Sequence, residues 1–287
     1  MKSDCHMHMI LDGDYWRDAI RRHEQEPDIS FIHRMLKIWK EKGYTYLRDG
    51  GDRWGAGARA RELAPEYGIC YRTPLAPLCA AGHYGAFIGL QYHDMKAFAQ
   101  LVVRQKEQGA DYIKIMISGL MDFDHFGVLS EEPLEPWEIR ELIHIAHEEG
   151  FAVMSHCNGA RTAEAAAAAG VDSIDHGAYL DTDALQTMED NGTVWVPTLS
   201  TIGNLRGKGR FNEDAVRRIL DSALANVAAY RGLLAAGTDA GAWAVPHGST
   251  TEEGYFAMAG VGEDRLTEGF RVIERKFALE EDYDIRE

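Results

Sequence analysis

Basic residues are scarce in this 287-residue sequence: 30 lysines and arginines face 46 aspartates and glutamates, for a formal net charge of −16. The acids are spread through helical-looking stretches rather than gathered in a tail, which argues against nucleic acid or an anionic membrane as a partner. Cysteine is scarce as well. Cys5, Cys70, Cys79 and Cys157 show no tight pairing pattern, which fits reduced thiols rather than a disulfide framework. No apolar run reaches membrane-spanning length and no signal peptide is recognisable ahead of the first polar residues, so a soluble, cytoplasmic protein is expected. With 45% hydrophobic residues the chain can bury a large core. Composition alone does not decide between one large α/β domain and two smaller ones.

What is present begins at Asp4-Cys5-His6-Met7-His8. On an extended strand, residues two apart share a face, so His6 and His8 project together. Two converging imidazoles suit a divalent metal, although an accidental His-x-His is an equal alternative when the pair stands alone.

Downstream, short apolar runs alternate with amphipathic stretches. Strands are predicted over 44–47, 69–75, 112–117, 151–155, 171–175, 193–199 and 233–238, and helices over 29–42, 58–67, 93–108, 136–149, 162–169, 181–190 and 212–231, with a helical tail from Thr250. Pro74 and Pro77 weaken the third strand. Residues 48–57 and 79–89 are predicted loops. Counting the first strand and the tail, this makes eight strand-then-helix units, the usual number for a parallel (β/α)8 TIM barrel, with two doubly wound sheets as the alternative. In a barrel the active site lies at the C-terminal strand ends. His156, His176 and Asp239 fall at or one step beyond such ends, and a barrel would gather them with His6, His8 and Lys114 at one mouth.

That order of residues resembles the binuclear metal centre of the amidohydrolase superfamily. The phrases around it, Gly109-Ala-Asp-Tyr-Ile-Lys114-Ile-Met-Ile-Ser-Gly119, Gly170-Val-Asp-Ser-Ile-Asp-His176-Gly177, Val196-Pro-Thr-Leu199 and Gly237-Thr-Asp239-Ala-Gly241 with His247-Gly248 downstream, resemble the prolidase and imidazolonepropionase-like branch. The resemblance implies one (β/α)8 barrel domain over 1–287, with His6, His8 and Asp239 on one metal and His156 and His176 on the other. Two divalent ions, zinc as the expected metal, would be bridged by a carbamate formed from carbon dioxide on Lys114. An ammonium there would repel two dications. A metal-activated bridging hydroxide would then attack a carbonyl, with Asp239 as general base and acid.

The expected activity is cleavage of an amide C–N bond in an N-acyl amino acid, dipeptide or cyclic amide. Alternatives on the same ligands are a lactonase or phosphotriesterase, or a metal-binding barrel without turnover; Lys114 argues against a deaminase. The expected partner is a small-molecule substrate, with a homo-oligomer left open. His83, Tyr84 and His247 are the first candidates for substrate contact, followed by Arg48, Tyr179 and Thr198; Arg48 could instead pair with Asp49 or Asp52. Segment 118–135 reads as a lid or as a surface loop. His144 and His147 are expected to pack or face solvent, and His23, His33, His93 and His125 to lie on the surface. Cys157 is expected to be a buried thiol. Gly50, Gly51, Gly55 and Gly57 are expected only to shape a loop. Most members of that family flank the barrel with a small β-sandwich, which is expected to be absent here, with a charged helix expected over 264–281.

Overall fold

The computed structural model describes residues 2–278. In chain order its elements are β1 (Lys2–Met7), α1 (Trp16–Arg21), α2 (Ile29–Glu41), β2 (Tyr44–Asp49), α3 (Ala56–Leu63), β3 (Cys70–Arg72), β4 (Leu78–Ala80), β5 (Leu90–Tyr92), α4 (Met95–Glu107), β6 (Ile113–Met116), α5 (Pro136–Glu148), β7 (Val153–Cys157), α6 (Ala160–Ala168), β8 (Ser173–His176), α7 (Thr182–Asp190), β9 (Val194–Val196), α8 (Ser200–Gly203), α9 (Glu213–Ala229), α10 (Thr251–Met258) and α11 (Glu263–Lys276). Several helices start where a short polar side chain can accept the first free N–H groups. Asp28, Asp94, Asp181 and Asn212 cap α2, α4, α7 and α9 in this way. Pro136 opens α5 beside a reciprocal Glu135–Glu138 box.

The strands pair in parallel as two sheets, β1-β2-β3 and β5-β4-β6-β7-β8-β9. The fold is therefore α/β with parallel sheets, and the expected closed (β/α)8 barrel is not what the strand pairing records. Two local causes are visible. The predicted third strand, 69–75, stops as β3 at Arg72, because in residues 73–77 Pro74 and Pro77 have no N–H to donate and Leu75 takes a left-handed φ of 63°; β4 pairs beyond it, mostly within the predicted loop 79–89. The predicted last strand, 233–238, forms no ladder. Single parallel bridges join Leu234 to Trp195 and, just beyond the predicted strand, Ala240 to Met7. Backbone bonds from Cys5 N to Ala236 O (2.8 Å) and from Trp195 N to Leu233 O (2.9 Å) still hold this segment between β1 and β9.

β6, β7, β8 and β9 are buried along their whole length, as parallel strands covered by helices require. Helix α11 closes one end of the core. Its Phe270 lies 5.1 Å from the Tyr46 ring, and the following Phe277 lies 5.1 Å from Tyr112. Each such aromatic contributes about 1.5–3 kcal/mol by burial. The part of the expected terminal helix beyond residue 278 lies outside the described residues. Arg48 and Asp49, read from sequence as loop, complete β2, and His23 is buried rather than on the surface, its Nδ1 accepting from Asp28 N at 3.1 Å. Among the described residues no helix is long and apolar enough to cross a membrane.

Candidate metal centre and cavity

His6 sits in β1 and His8 just after it, Lys114 in β6, His156 in β7, His176 at the end of β8 and Asp239 in the segment beside β1. All six line one cavity of about 530 Å³, a size suited to a small-molecule ligand. Donor atoms of His6, His8 and Asp239 lie within 4.8 Å of one another. His6 Nε2 is 3.3 Å from His8 Nε2 and 3.5 Å from Asp239 Oδ1, and His8 Nε2 is 3.3 Å from the same oxygen. His176 stands between the other imidazoles, its ring centroid 4.8 Å from His6 and 4.4 Å from His156.

Acceptor-only partners set which nitrogen is free in the His156 and His6 rings. The Gly119 carbonyl, 3.2 Å from His156 Nε2, can only accept, so that nitrogen carries the hydrogen and Nδ1 keeps the lone pair. Asp175 already accepts from Arg48 Nη2 (3.0 and 3.1 Å) and Ser173 Oγ (2.8 Å), so its 2.6 Å contact with His6 Nδ1 is donated by the ring. That leaves His6 Nε2 aimed at the cluster. His176 Nδ1 bonds Thr198 Oγ1 at 2.8 Å.

Burial keeps these imidazoles neutral. It lowers His8 and His156 to about 3, and it takes His6 and His176 well below the usual histidine value, with the Lys114 charge adding to the effect. Burial likewise lowers the Lys114 amine below the usual lysine value and raises the Asp239 carboxyl above the usual carboxylate range. Lys114 Nζ, His8 Nδ1 and Asp239 Oδ1 are buried without a hydrogen-bond partner. An unpartnered buried polar group costs about 1–3 kcal/mol, and these three side chains line the same cavity, which suits it to a ligand that pairs with them. Neutral imidazoles, a carboxylate and a buried amine fit divalent cations.

The backbone is bent to present these groups. His176, Thr198 and Asp239 take φ of 75°, 47° and 57°, the left-handed region that costs a non-glycine residue about 1–3 kcal/mol. Gly50 is needed for contact reasons: a methyl group there would lie 2.1 Å from Cε1 of the His8 ring. This glycine, expected only to shape a loop, therefore makes room for a ligand.

The sequence reading missed a supporting layer. Arg48 is fully buried and faces the core, giving Nε to Cys5 O (2.6 Å), Nη1 to Ser173 Oγ (2.9 Å) and Nη2 to Asp175. It is not a substrate contact, and its partner is neither Asp49 nor Asp52. The parallel pairing of β7 with β8 sets Asp175 beside His156 in register. The only sequence signal was Asp175 next to His176.

The predicted substrate contacts divide. Tyr84 lines the cavity, its ring 4.7 Å from His156. His83 faces Glu131 at 3.4 Å and is absent from the cavity wall. His247 is also absent from it, because both ring nitrogens are engaged: Trp39 Nε1 donates to Nδ1 (3.2 Å) and Nε2 meets Leu11 O (2.8 Å). Thr198 acts through His176, and Tyr179 packs on Phe126 at 5.4 Å. Segment 118–135 contributes Leu120, Met121 and Phe123 to the wall. Cys157 is buried, while His93, His125, His144 and His147 are exposed; His147 reaches Asp172 at 3.0 Å.

No protein-family model matches the sequence. Ochratoxinase of Aspergillus niger is 26% identical over 296 residues, spanning 89% of this chain and 59% of the relative. The chain thus spans about three-fifths of the length of that curated relative. Among solved structures, a Xaa-Pro dipeptidase with bound methionine superimposes with a TM-score of 0.73 at 20% identity, over 93% of this chain and 72% of the other. The A. niger ochratoxinase structure gives 0.71 at 21% identity, over 96% and 71%. The chain is thus similar in sequence to ochratoxinase, and in fold to that enzyme, to a Xaa-Pro dipeptidase and to a further amidohydrolase structure.

Proposed function

We propose that the chain hydrolyses an amide C–N bond of an N-acyl amino acid, dipeptide or cyclic amide, with two divalent ions, zinc foremost, held at the cavity floor. Support comes foremost from the convergence of His6, His8 and Asp239 within 4.8 Å of one another beside the unpartnered Lys114 amine. His6, His8 and Asp239 would hold one ion and His156 and His176 the other. Lys114, after its amine adds carbon dioxide and releases a proton, would offer a carbamate to both. When bound, such ions lower the pKa of water toward neutrality and polarise a carbonyl. In this reading the two sheets and segment 233–240 act as a (β/α)8 barrel with incomplete hydrogen bonding, its mouth at the C-terminal strand ends.

The protein's own groups then divide the work. Asp239 takes a proton from the attacking water and returns it to the leaving amine. Asp175 and Thr198 hold the rings of His6 and His176 so that their free nitrogens stay fixed. The apolar wall excludes water and strengthens every charge interaction at the floor.

Metal analysis of protein produced with added bicarbonate tests the assignment. Two ions per chain, falling in Lys114→Ala, together with turnover in a panel of dipeptides, N-acyl amino acids and lactones dominated by the amides, are the expected results. A single ion indifferent to Lys114 sinks the binuclear reading, and preference for lactones sinks the amide.

A further inference from the structure

Above the six floor residues the cavity wall is mostly apolar, and Trp16, Phe87, Phe123, Phe211 and Trp243 are among its aromatic members. Such a wall takes a planar or bulky apolar group. Its charged members are not equivalent. Asp122 is satisfied by His125 Nδ1 (2.9 Å) and by two backbone N–H groups, and Asp124 accepts from Asn212 N at 2.8 Å. Arg210 has no such partner: among the described residues no carboxylate lies within ion-pair distance of it. Its guanidinium instead lies over two cavity rings, 4.4 Å from the centroid of Trp243 and 5.2 Å from that of Phe211. Stacking of this kind fixes the plane of an arginine while leaving its edge N–H groups free, and that fork matches a carboxylate.

The loop that carries Arg210 is held in place. Phe211 packs on Phe123 at 5.2 Å, and the Asn212 to Asp124 bond ties the same loop to segment 118–135. Arg210 is exposed at the cavity mouth, so in a chain with a net charge of −16 its guanidinium is a cation open to an anionic group entering the cavity. We propose that Arg210 is a specificity-determining residue that reads a carboxylate on the substrate, whose planar apolar group lies along Phe211 and Trp243. This rests on the amide-hydrolase reading for the bond that is cleaved, but not for the recognition of charge.

Binding separates the two. The dissociation constants of naphthoyl-leucine and of the naphthoyl amide of isopentylamine, which differ only by the carboxylate, are measured with the zinc-loaded protein by quenching of tryptophan fluorescence. We expect the carboxylate compound to bind about five-fold tighter, the scale of a partly exposed ion pair of about 1 kcal/mol. Arg210→Gln should bring the ratio to about one, and Arg210→Lys should keep part of it. Equal binding of the two by the wild-type protein, binding of neither, or a ratio that persists in Arg210→Gln overturns the proposal. If the ratio behaves as expected and neither compound is cleaved, Arg210 stands and the amide reading falls.

Discussion

His6 Nδ1 and Asp175 Oδ2 meet at 2.6 Å with both side chains fully buried, although 169 residues separate them in the chain. The contact joins a cavity ligand to a carboxylate anchored by Arg48, whose guanidinium in turn lies 4.6 Å over the Phe277 ring at the closed end of the core.

Loss of that carboxylate should loosen His6. In Asp175→Asn we expect metal affinity to fall by about 10- to 100-fold, the usual cost of removing a group that orients a metal-binding histidine. Because Arg48 is left unpaired, stability should also drop by about 3–5 kcal/mol. Chelator competition measures the first and denaturant unfolding the second, and unchanged metal affinity in folded Asp175→Asn protein removes the orienting role.

Asp239→Asn separates binding from turnover. Asparagine tolerates the left-handed backbone at this position and keeps an oxygen for the metal, but it cannot accept a proton from water. Metal content should be retained while kcat falls by about 10²- to 10⁴-fold. Near wild-type turnover would exclude Asp239 as the proton carrier.

Gly50→Ala tests the space beside His8. The added methyl must displace the ring it would otherwise meet at 2.1 Å, at a cost of about 1–3 kcal/mol. Metal uptake should decline together with thermal stability. A variant that loads metal as the parent does would show that the ring has somewhere else to go.

Glu252 gives a pH dependence away from the cavity floor. It is buried and accepts backbone N–H groups from Leu199 (2.8 Å) and Ser200 (2.7 Å), and burial raises its carboxyl to about 8 from an ordinary 4.5. Between those values the folded state binds more protons than the unfolded one. The contribution is thus full below the unfolded value and lost as pH rises through about 8. The melting temperature should decline between about pH 5 and about pH 8.5, less steeply in Glu252→Gln, and identical slopes in the two proteins would argue against it.

Much of the cavity floor was legible because its residues carry their own signals: a histidine pair two apart, a lysine inside an apolar strand, and histidines or an aspartate where strands stop. The structure brings all six to one cavity. The layer beneath them was not legible. Arg48 follows Leu47 and precedes a glycine-rich stretch, so it read as loop, and only the continuation of β2 to Asp49 turns it inward. His247 misled for the opposite reason: its chemistry suited a ligand contact, but Trp39, 208 residues away, holds its ring. The prolines at 74 and 77 warned of trouble in the third strand. The splitting of the sheets and the single bridges of 233–240 depend on pairing partners that one strand's sequence does not name.

The left-handed backbone at His176, Thr198 and Asp239 sets this centre against the drift of random substitution. Glycine would relax each of these positions by up to about 1–3 kcal/mol, and it would also delete a proposed metal ligand or the threonine that holds one. A library sorted for heat resistance alone should therefore discard the centre while improving the scaffold. Selection for thermostable variants of this chain has to score metal content beside melting temperature, or its best survivors will be inert.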